Sequence, residues 1–364
     1  GDPEVIPELT YEQFLDFHRK YYHPSNSYIY IYGDMDVNER LEYLDREYLS
    51  DFDVSDVDIH ANIERQAAFD KPVYETKPYA ITEDESLEDN TYLSYNAVIG
   101  TSVDAKLYLA FQILDYALVM TPGAPVKQAL LDAGISTDVY SSYETSLYQP
   151  VYSIVAKNSN SKEQGRFVSV INDTLEKLVK DGINERTIEA GINYYEFKYR
   201  EADYGPYPKG LMYYLTMMDS WLYDETKPFI HIEAGDTFDE LKKDARNGYF
   251  EKLIKEYLLD NNHKSIISLV PEYGLEKEKE QKEADKLAEY KSTLTNDELE
   301  ELVKKTKELK EYQDAPSSQE ELEKIPMLEL SDIKREPAKD YNDVKSVDGI
   351  KICLLYTSPS PRDA

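Results

Sequence analysis

Five histidines, His18, His23, His60, His231 and His263, are the obvious candidates for metal or acid–base chemistry in this 364-residue chain. His18 and His23 stand five apart at a helix end, about 140° off a common face at ~100° per residue. That geometry is poor for sharing an ion, and His23-Pro24 reads better as a helix stop. His231-Ile232-Glu233 would put two ligands on one face of an extended segment, but a zinc site needs at least a third protein donor. Thr121-Pro122-Gly123-Ala124-Pro125 reads as a turn between helices and lacks the lysine of a phosphate loop. Asp84, Glu85, Glu88 and Asp89 could hold a hard cation loosely, yet they read better as an exposed acidic linker. Spacing alone assigns no Ser/His/Asp arrangement. No residue is therefore assigned a catalytic or metal-binding role.

The elements that would position any such residues follow from periodicity. Thr10 and Gln13 have capping-box spacing, and Phe14, Leu15, Phe17 and Tyr21 then recur at helical intervals up to the His23-Pro24 stop. Tyr28 to Tyr32 is a β-rich run stopped at Gly33, and Val37 to Tyr48 is a second helix. Between 61 and 90, Lys71-Pro72 and Lys77-Pro78 bracket an extended connector that ends in an acidic stretch. Thr91 to Ile99 is strand-like. Ser102 can cap a helix that runs to Met120, with Leu107, Ala110, Phe111, Leu114 and Leu118 as its stripe. A helix at Val126–Ala133 ends at Gly134, and two strands follow within 138–156. Helices are expected at 162–181, 185–202, 208–223 and 237–260, then a strand at Ser265–Val270. The pattern Tyr11-Glu12…Phe14-Leu15…His23 is echoed by Phe250-Glu251…Leu253-Ile254…His263, each followed by a β run, which suggests a duplicated α/β unit. Residues 272–314 are Lys/Glu-rich and break once near Thr293. With a second capping box at Thr295 and Glu298, they read as a helical hairpin. Its heptads are too short and irregular for a coiled-coil scaffold.

Composition limits the classes. The formal net charge of −31 argues against nucleic-acid binding, because a phosphate backbone would be repelled. The same charge aids solubility and would attract cationic peptides. Tyrosine is abundant, 33 residues against one tryptophan, and suits half-buried sheet surfaces. The single cysteine, Cys353, excludes an intramolecular disulfide framework and a Cys-based zinc site. No run approaches the roughly 20 apolar residues that span a bilayer, so no membrane role is expected.

Two segments carry a family resemblance. FHRKYYHPSNSYIYIYGD, residues 17–34, is similar to the close of the first domain in the presequence protease and falcilysin branch of the pitrilysin–insulinase zinc metallopeptidases. YGPYPKGLMYYLTMMDSWLY, residues 204–223, resembles the helix start and Trp-containing helix of the same branch. The resemblance covers roughly residues 1–350. It implies an α/β (α+β) fold: duplicated metallopeptidase-type domains with antiparallel-rich sheets packed with helices, plus a helical hairpin linker. Residues 1–60 would close a first, catalytic-type domain, 61–90 connect, 91–271 form a second, non-catalytic domain, 272–314 form the hairpin and 315–352 begin a third domain. Residues 353–364 resemble translated adapter sequence and are expected to be an artefact.

In that family the peptidase site is His-x-x-Glu-His on one helix, with a further glutamate as third zinc ligand. No two histidines here have that spacing, and 104–119 holds neither His nor Glu. The resemblance therefore implies an internal piece of a zinc metalloendopeptidase of the inverzincin type. Its intact form, a monomeric clamshell, would enclose and cleave unfolded oligopeptides. This piece would bind no zinc and act as chamber wall and hinge. The alternative is a non-catalytic structural or binding subunit of the same fold. The compartment stays open, with a bacterial cytoplasm favoured over a mitochondrial matrix.

Overall fold

A computed structural model describes residues 3, 5–53, 62–333, 342–347 and 350–355. The chain divides into two units, 1–281 and 282–364, each described by itself.

The first unit opens with α1 (Tyr11–Tyr21), whose start is fixed by the reciprocal capping box. Thr10 Oγ1 accepts from Gln13 N at 3.2 Å, and Gln13 Oε1 accepts from Thr10 N at 2.8 Å. Asp36 caps α2 (Val37–Glu47) by accepting from the Asn38 and Glu39 amides. Between these helices, the β-rich run Tyr28–Tyr32, expected as a strand, joins no ladder among the described residues. A β-rich sequence becomes a strand only where a neighbour takes its backbone hydrogen bonds.

The sheet has five strands in the order β1-β5-β2-β4-β3: β1 (Val73–Ile81), β2 (Thr91–Val98), β3 (Asp138–Glu144), β4 (Val151–Ser159) and β5 (Lys264–Tyr273). All pairings are antiparallel except β1 with β5. The expected connector thus contributes an outer strand. Pro78 lies in this outer strand, the kind of strand to which proline is confined in sheets. Its partner β5 lies far along the chain, so local patterning shows extension but not pairing.

Helices α3 (Ala105–Asp115), α4 (Pro125–Asp132), α5 (Gln164–Asp181), α6 (Glu185–Glu201), α7 (Lys209–Trp221), α8 (Gly235–Asp244) and α9 (Tyr249–Leu253) complete the unit. Alternate residues of β2, namely Leu93, Tyr95 and Ala97, join Ile154 of β4 and Ile266 of β5 in one continuous core. Phe111, Phe167, Phe238 and Phe250 come to it from four helices. The N-cap of α3 is Asp104, accepting from Leu107 N at 3.0 Å, rather than Ser102. α3 continues as a π-helical turn, Tyr116–Met120. With α4 it forms the one helical run, Ala105–Asp132, that is apolar and long enough to cross a membrane among the described residues; 61% of its apolar window is buried inside the protein, as in a core helix.

The expected helix 237–260 is broken. Gly248, at φ +71°, ends the turn after α8, and α9 passes into a second π-helical stretch, Ile254–Leu259. Left-handed glycine is a common helix terminator. The buried Lys264 Nζ bonds the Leu258 and Leu259 carbonyls at 2.8 and 3.1 Å, placing a cation at the negative end of that stretch.

The sequence repeat has two different fates. In the second copy Phe250 and Leu253 are 1% and 3% exposed, whereas their counterparts in the first, Tyr11 and Phe14, are 71% and 65% exposed. Both copies make the helix; only the second has a sheet beneath it.

Beyond β5 comes α10 (Leu275–Thr293), which crosses into the second unit. That unit also holds α11 (Asn296–Asp314), α12 (Gln319–Leu322) and an antiparallel pair, β6 (Asn342–Val347) with β7 (Ile350–Leu355). The second capping box forms, with Glu298 N to Thr295 Oγ1 at 3.3 Å and Thr295 N to Glu298 Oε2 at 2.8 Å. No residue of α10 or α11 is buried. Of the segment 353–364 expected to be an artefact, 353–355 lie in β7 and 356–364 fall outside the described residues.

Candidate functional site

The histidines do not converge. His18 stacks on Tyr22 with ring centroids 4.6 Å apart, and His23 Nδ1 accepts from Ser25 N at 3.2 Å, starting the turn after α1. His263 lies edge-on to Phe69, and His60 falls outside the described residues. His231 is buried in a turn, while Glu233 two residues on is exposed, so the two do not share a face. The His231 ring stacks on Tyr108 at 3.8 Å and its Nε2 lies 2.8 Å from the Ser102 carbonyl. Burial pushes its pKa down to about 4, the Ser102 bond opposing. The acidic stretch serves its own loop: Glu85 Oε2 accepts from Thr82 N, and Asp89 Oδ1 from Asn160. Among the described residues no cluster of three or more His, Cys, Asp or Glu side chains is placed to hold a metal ion. Of the side chains that bind zinc, α3 carries only Asp115, so the residues present do not fit that ion.

A polar cavity of about 280 Å³ instead lies between α3 and β3. Tyr108, Gln112 and Asp115 reach it from α3 at positions i, i+4 and i+7, and Ser141 and Tyr143 reach it from β3. Asp115 is 6% exposed and accepts from the Tyr152 hydroxyl at 3.0 Å. Burial raises its pKa, and the Ser141 and Tyr152 hydroxyls oppose that rise. Asp219 of α7 stands behind the wall, accepting from Tyr108 Oη at 2.7 Å and Thr145 Oγ1 at 3.0 Å. Burial raises its pKa as well, with the same two hydroxyls opposing. The Tyr143 hydroxyl is buried without a hydrogen-bond partner. This cavity was not anticipated from the sequence. The available signal was a polar line, Tyr108, Gln112 and Asp115, on an otherwise apolar helix.

The two segments that carried the resemblance meet in a second place. Tyr28 packs on Trp221 at 4.4 Å, Tyr30 on Tyr214 at 5.4 Å and Tyr32 on Tyr213 at 5.8 Å. They flank an aromatic cavity of about 670 Å³ at the start of α7.

This sheet-and-helix architecture has a known counterpart. The chain matches the family described as "Peptidase M16 inactive domain" over residues 8–195. Over residues 269–358 it matches a second family, the domain associated with subfamily C of the same peptidases. It belongs to the M16 peptidase family, the insulinase-type metalloproteases. It is 43% identical to Protein HypA of Clostridium perfringens, over 96% of this chain and 36% of that protein. It is 33% identical to presequence protease 1, chloroplastic/mitochondrial, of Arabidopsis thaliana, over 97% of this chain and 33% of that protein. The chain thus spans about a third of the length of the curated relatives it matches. Among solved structures, a protease from Helicobacter pylori superposes with a TM-score of 0.55 at 14% identity, covering 74% of this chain and 61% of that one. An M16 inactive domain from Pseudomonas fluorescens superposes at 0.51 and 12% identity, covering 75% and 60%. These two likenesses concern the fold.

Proposed function

We propose that this chain is the central part of a zinc metalloendopeptidase that degrades unfolded oligopeptides in a closed chamber, and that it supplies chamber wall and hinge rather than catalysis. The observation that carries the proposal is the match of nearly the whole chain to about a third of a presequence protease, together with an α3 that has neither histidine nor glutamate. A wall of this kind selects by size, admitting flexible chains and excluding folded ones. Among the described residues β1 and β3 are the outer strands of the sheet, and an extended peptide can pair with such an edge. Residues 1–60 close the first domain, whose missing strands would cover the exposed Phe14–Phe17 face and pair with Tyr28–Tyr32. Residues 272–314 fold as the hairpin hinge and 315–352 begin a third domain. The intact protein is a monomeric clamshell that holds its zinc outside this segment. Its compartment is a bacterial cytoplasm or a mitochondrial matrix.

The test is to sequence the coding region on both sides and assay the protein it encodes. The proposal expects an in-frame His-x-x-Glu-His upstream, stoichiometric zinc by mass spectrometry, and hydrolysis of an unfolded peptide that the 364-residue chain alone does not cleave. The same fold upstream with its histidines or glutamate replaced, and no zinc bound, would replace this reading with that of a non-catalytic binding subunit.

A further inference from the structure

A further cavity, of about 250 Å³, opens between α6 and the end of α8. Glu185 and Glu189 line it from α6, Lys242 from α8, and Ala245 and Arg246 from the helical turn that follows, Ala245–Asn247. Ile192, 2% exposed and part of the core, joins Ala245 as the apolar portion of the lining. The charges are sorted by wall, acids on α6 and bases on α8 and its turn. Further along the same interface this arrangement closes into an ion pair: Lys242 Nζ lies 2.6 Å from Glu196 Oε2, and Glu196 Oε1 takes Arg200 at 2.7 Å. Arg246, one turn beyond Lys242, forms no ion pair among the described residues, and neither do Glu185 and Glu189 on the opposite wall. The cross-helix pairing therefore stops at Lys242, and the cavity takes the place of the next pair. Glu185 and Glu189 stand four apart on one helix face, a spacing at which like charges repel. Arg246 offers a planar fork of donors that suits a carboxylate.

We infer that this cavity binds a small zwitterion, the head of a free amino acid or short peptide. Its ammonium meets Glu185 and Glu189, its carboxylate meets Arg246, and its apolar side chain lies on Ile192 and Ala245. A lone cation would leave Arg246 unanswered, and a lone anion would face two carboxylates. Only a ligand that carries both charges answers both walls. The volume of about 250 Å³ falls below the ~300 Å³ at which pockets for drug-sized ligands begin, so the occupant is small. The inference goes beyond the chamber-wall reading and does not rest on it.

The test is isothermal titration of the 364-residue chain with leucine, with leucinamide, which lacks the carboxylate, and with 4-methylpentanoate, which lacks the ammonium. Leucine should bind about fivefold more tightly than either analogue, the upper end for one ion pair at an exposed site. Arg246→Gln should erase the margin over leucinamide and keep the margin over 4-methylpentanoate. Glu185→Gln combined with Glu189→Gln should do the reverse. Arg186→Gln, at an exposed cation of α6 outside the lining, should change nothing. Leucyl-leucine, titrated alongside, identifies the source: if it binds more tightly than leucine and depends on both walls, the occupant is a peptide, and if more weakly, an amino acid. Leucinamide or 4-methylpentanoate binding as tightly as leucine would overturn the site. An equal loss in Arg186→Gln would show attraction by diffuse charge and also overturn it, as would no binding of leucine or leucyl-leucine by titration and no rise in thermal midpoint. Each of these outcomes leaves the chamber-wall reading standing. All the substituted side chains are exposed, so the variants should keep the fold, which circular dichroism checks.

Discussion

Gly210 is buried at the start of α7 where the Tyr32 ring crosses the helix, and any Cβ there would run into that ring, with Cγ only 2.8 Å away. Alanine would gain up to about 1 kcal/mol in helix propensity, but forcing the ring aside costs about 1–3 kcal/mol. Gly210→Ala should therefore lower the thermal midpoint, by a net loss of about 1 kcal/mol; an unchanged midpoint would mean that Tyr28–Tyr32 is free to move. Two buried titratable groups pull stability in opposite directions with pH. His231, at about 4 when folded against 6.5 ordinarily, binds fewer protons folded than unfolded between those values. Its contribution is full above pH 6.5 and falls as pH drops toward 4. Asp115 has a raised value, so it favours the fold below the ordinary 3.8 and loses that advantage as pH rises through its folded value. The groups around it are Tyr152, Tyr195 and Ser141, and none is cationic at neutral pH. Urea denaturation across pH should show His231→Gln flattening the acid-side decline and Asp115→Asn raising stability at neutral pH.

At the scale of elements, local rules set the starts and stops of helices, and packing set their worth. The α11 capping box formed as its spacing required, on a helix with no buried residue to reinforce it. Thr295→Ala should therefore cost about 0.5–2 kcal/mol of helix stability, read as lost amide-exchange protection across 297–314. The repeat makes the complementary point. Leu253→Ala, at the position that matches Phe14, should destabilise by about 2–5 kcal/mol, the usual cost of emptying a packed aliphatic site. Phe14→Ala in this chain should stay within about 0.5 kcal/mol, as expected of a surface position. The two substitutions should cost alike in a longer protein that supplies the first domain's sheet, which calorimetry on both proteins would check.

For the whole molecule, the charge of −31 is the dominant field. Association with basic peptides should weaken as ionic strength rises, because exposed charges are screened beyond about 10 Å at ~0.1 M salt. Any part that persists at high salt belongs to desolvated contacts. Stopped-flow binding across a salt series separates the two, since steering acts on the association rate.

Periodicity, caps and breakers in the sequence were enough to place α1–α7 and four of the five strands of the sheet, because those signals act within a few residues. The same local text shows that α3 has neither histidine nor glutamate, which is legible without a fold. Tertiary structure alone decided pairing and convergence. It made a strand of Val73–Ile81, left Tyr28–Tyr32 outside any ladder among the described residues, and turned His231 away from Glu233. It also brought Asp115, Ser141 and Tyr143 from two elements into one cavity. Hydrogen-bond partners and counter-charges are chosen by proximity in space, and the spacing of residues along a chain carries no record of that proximity.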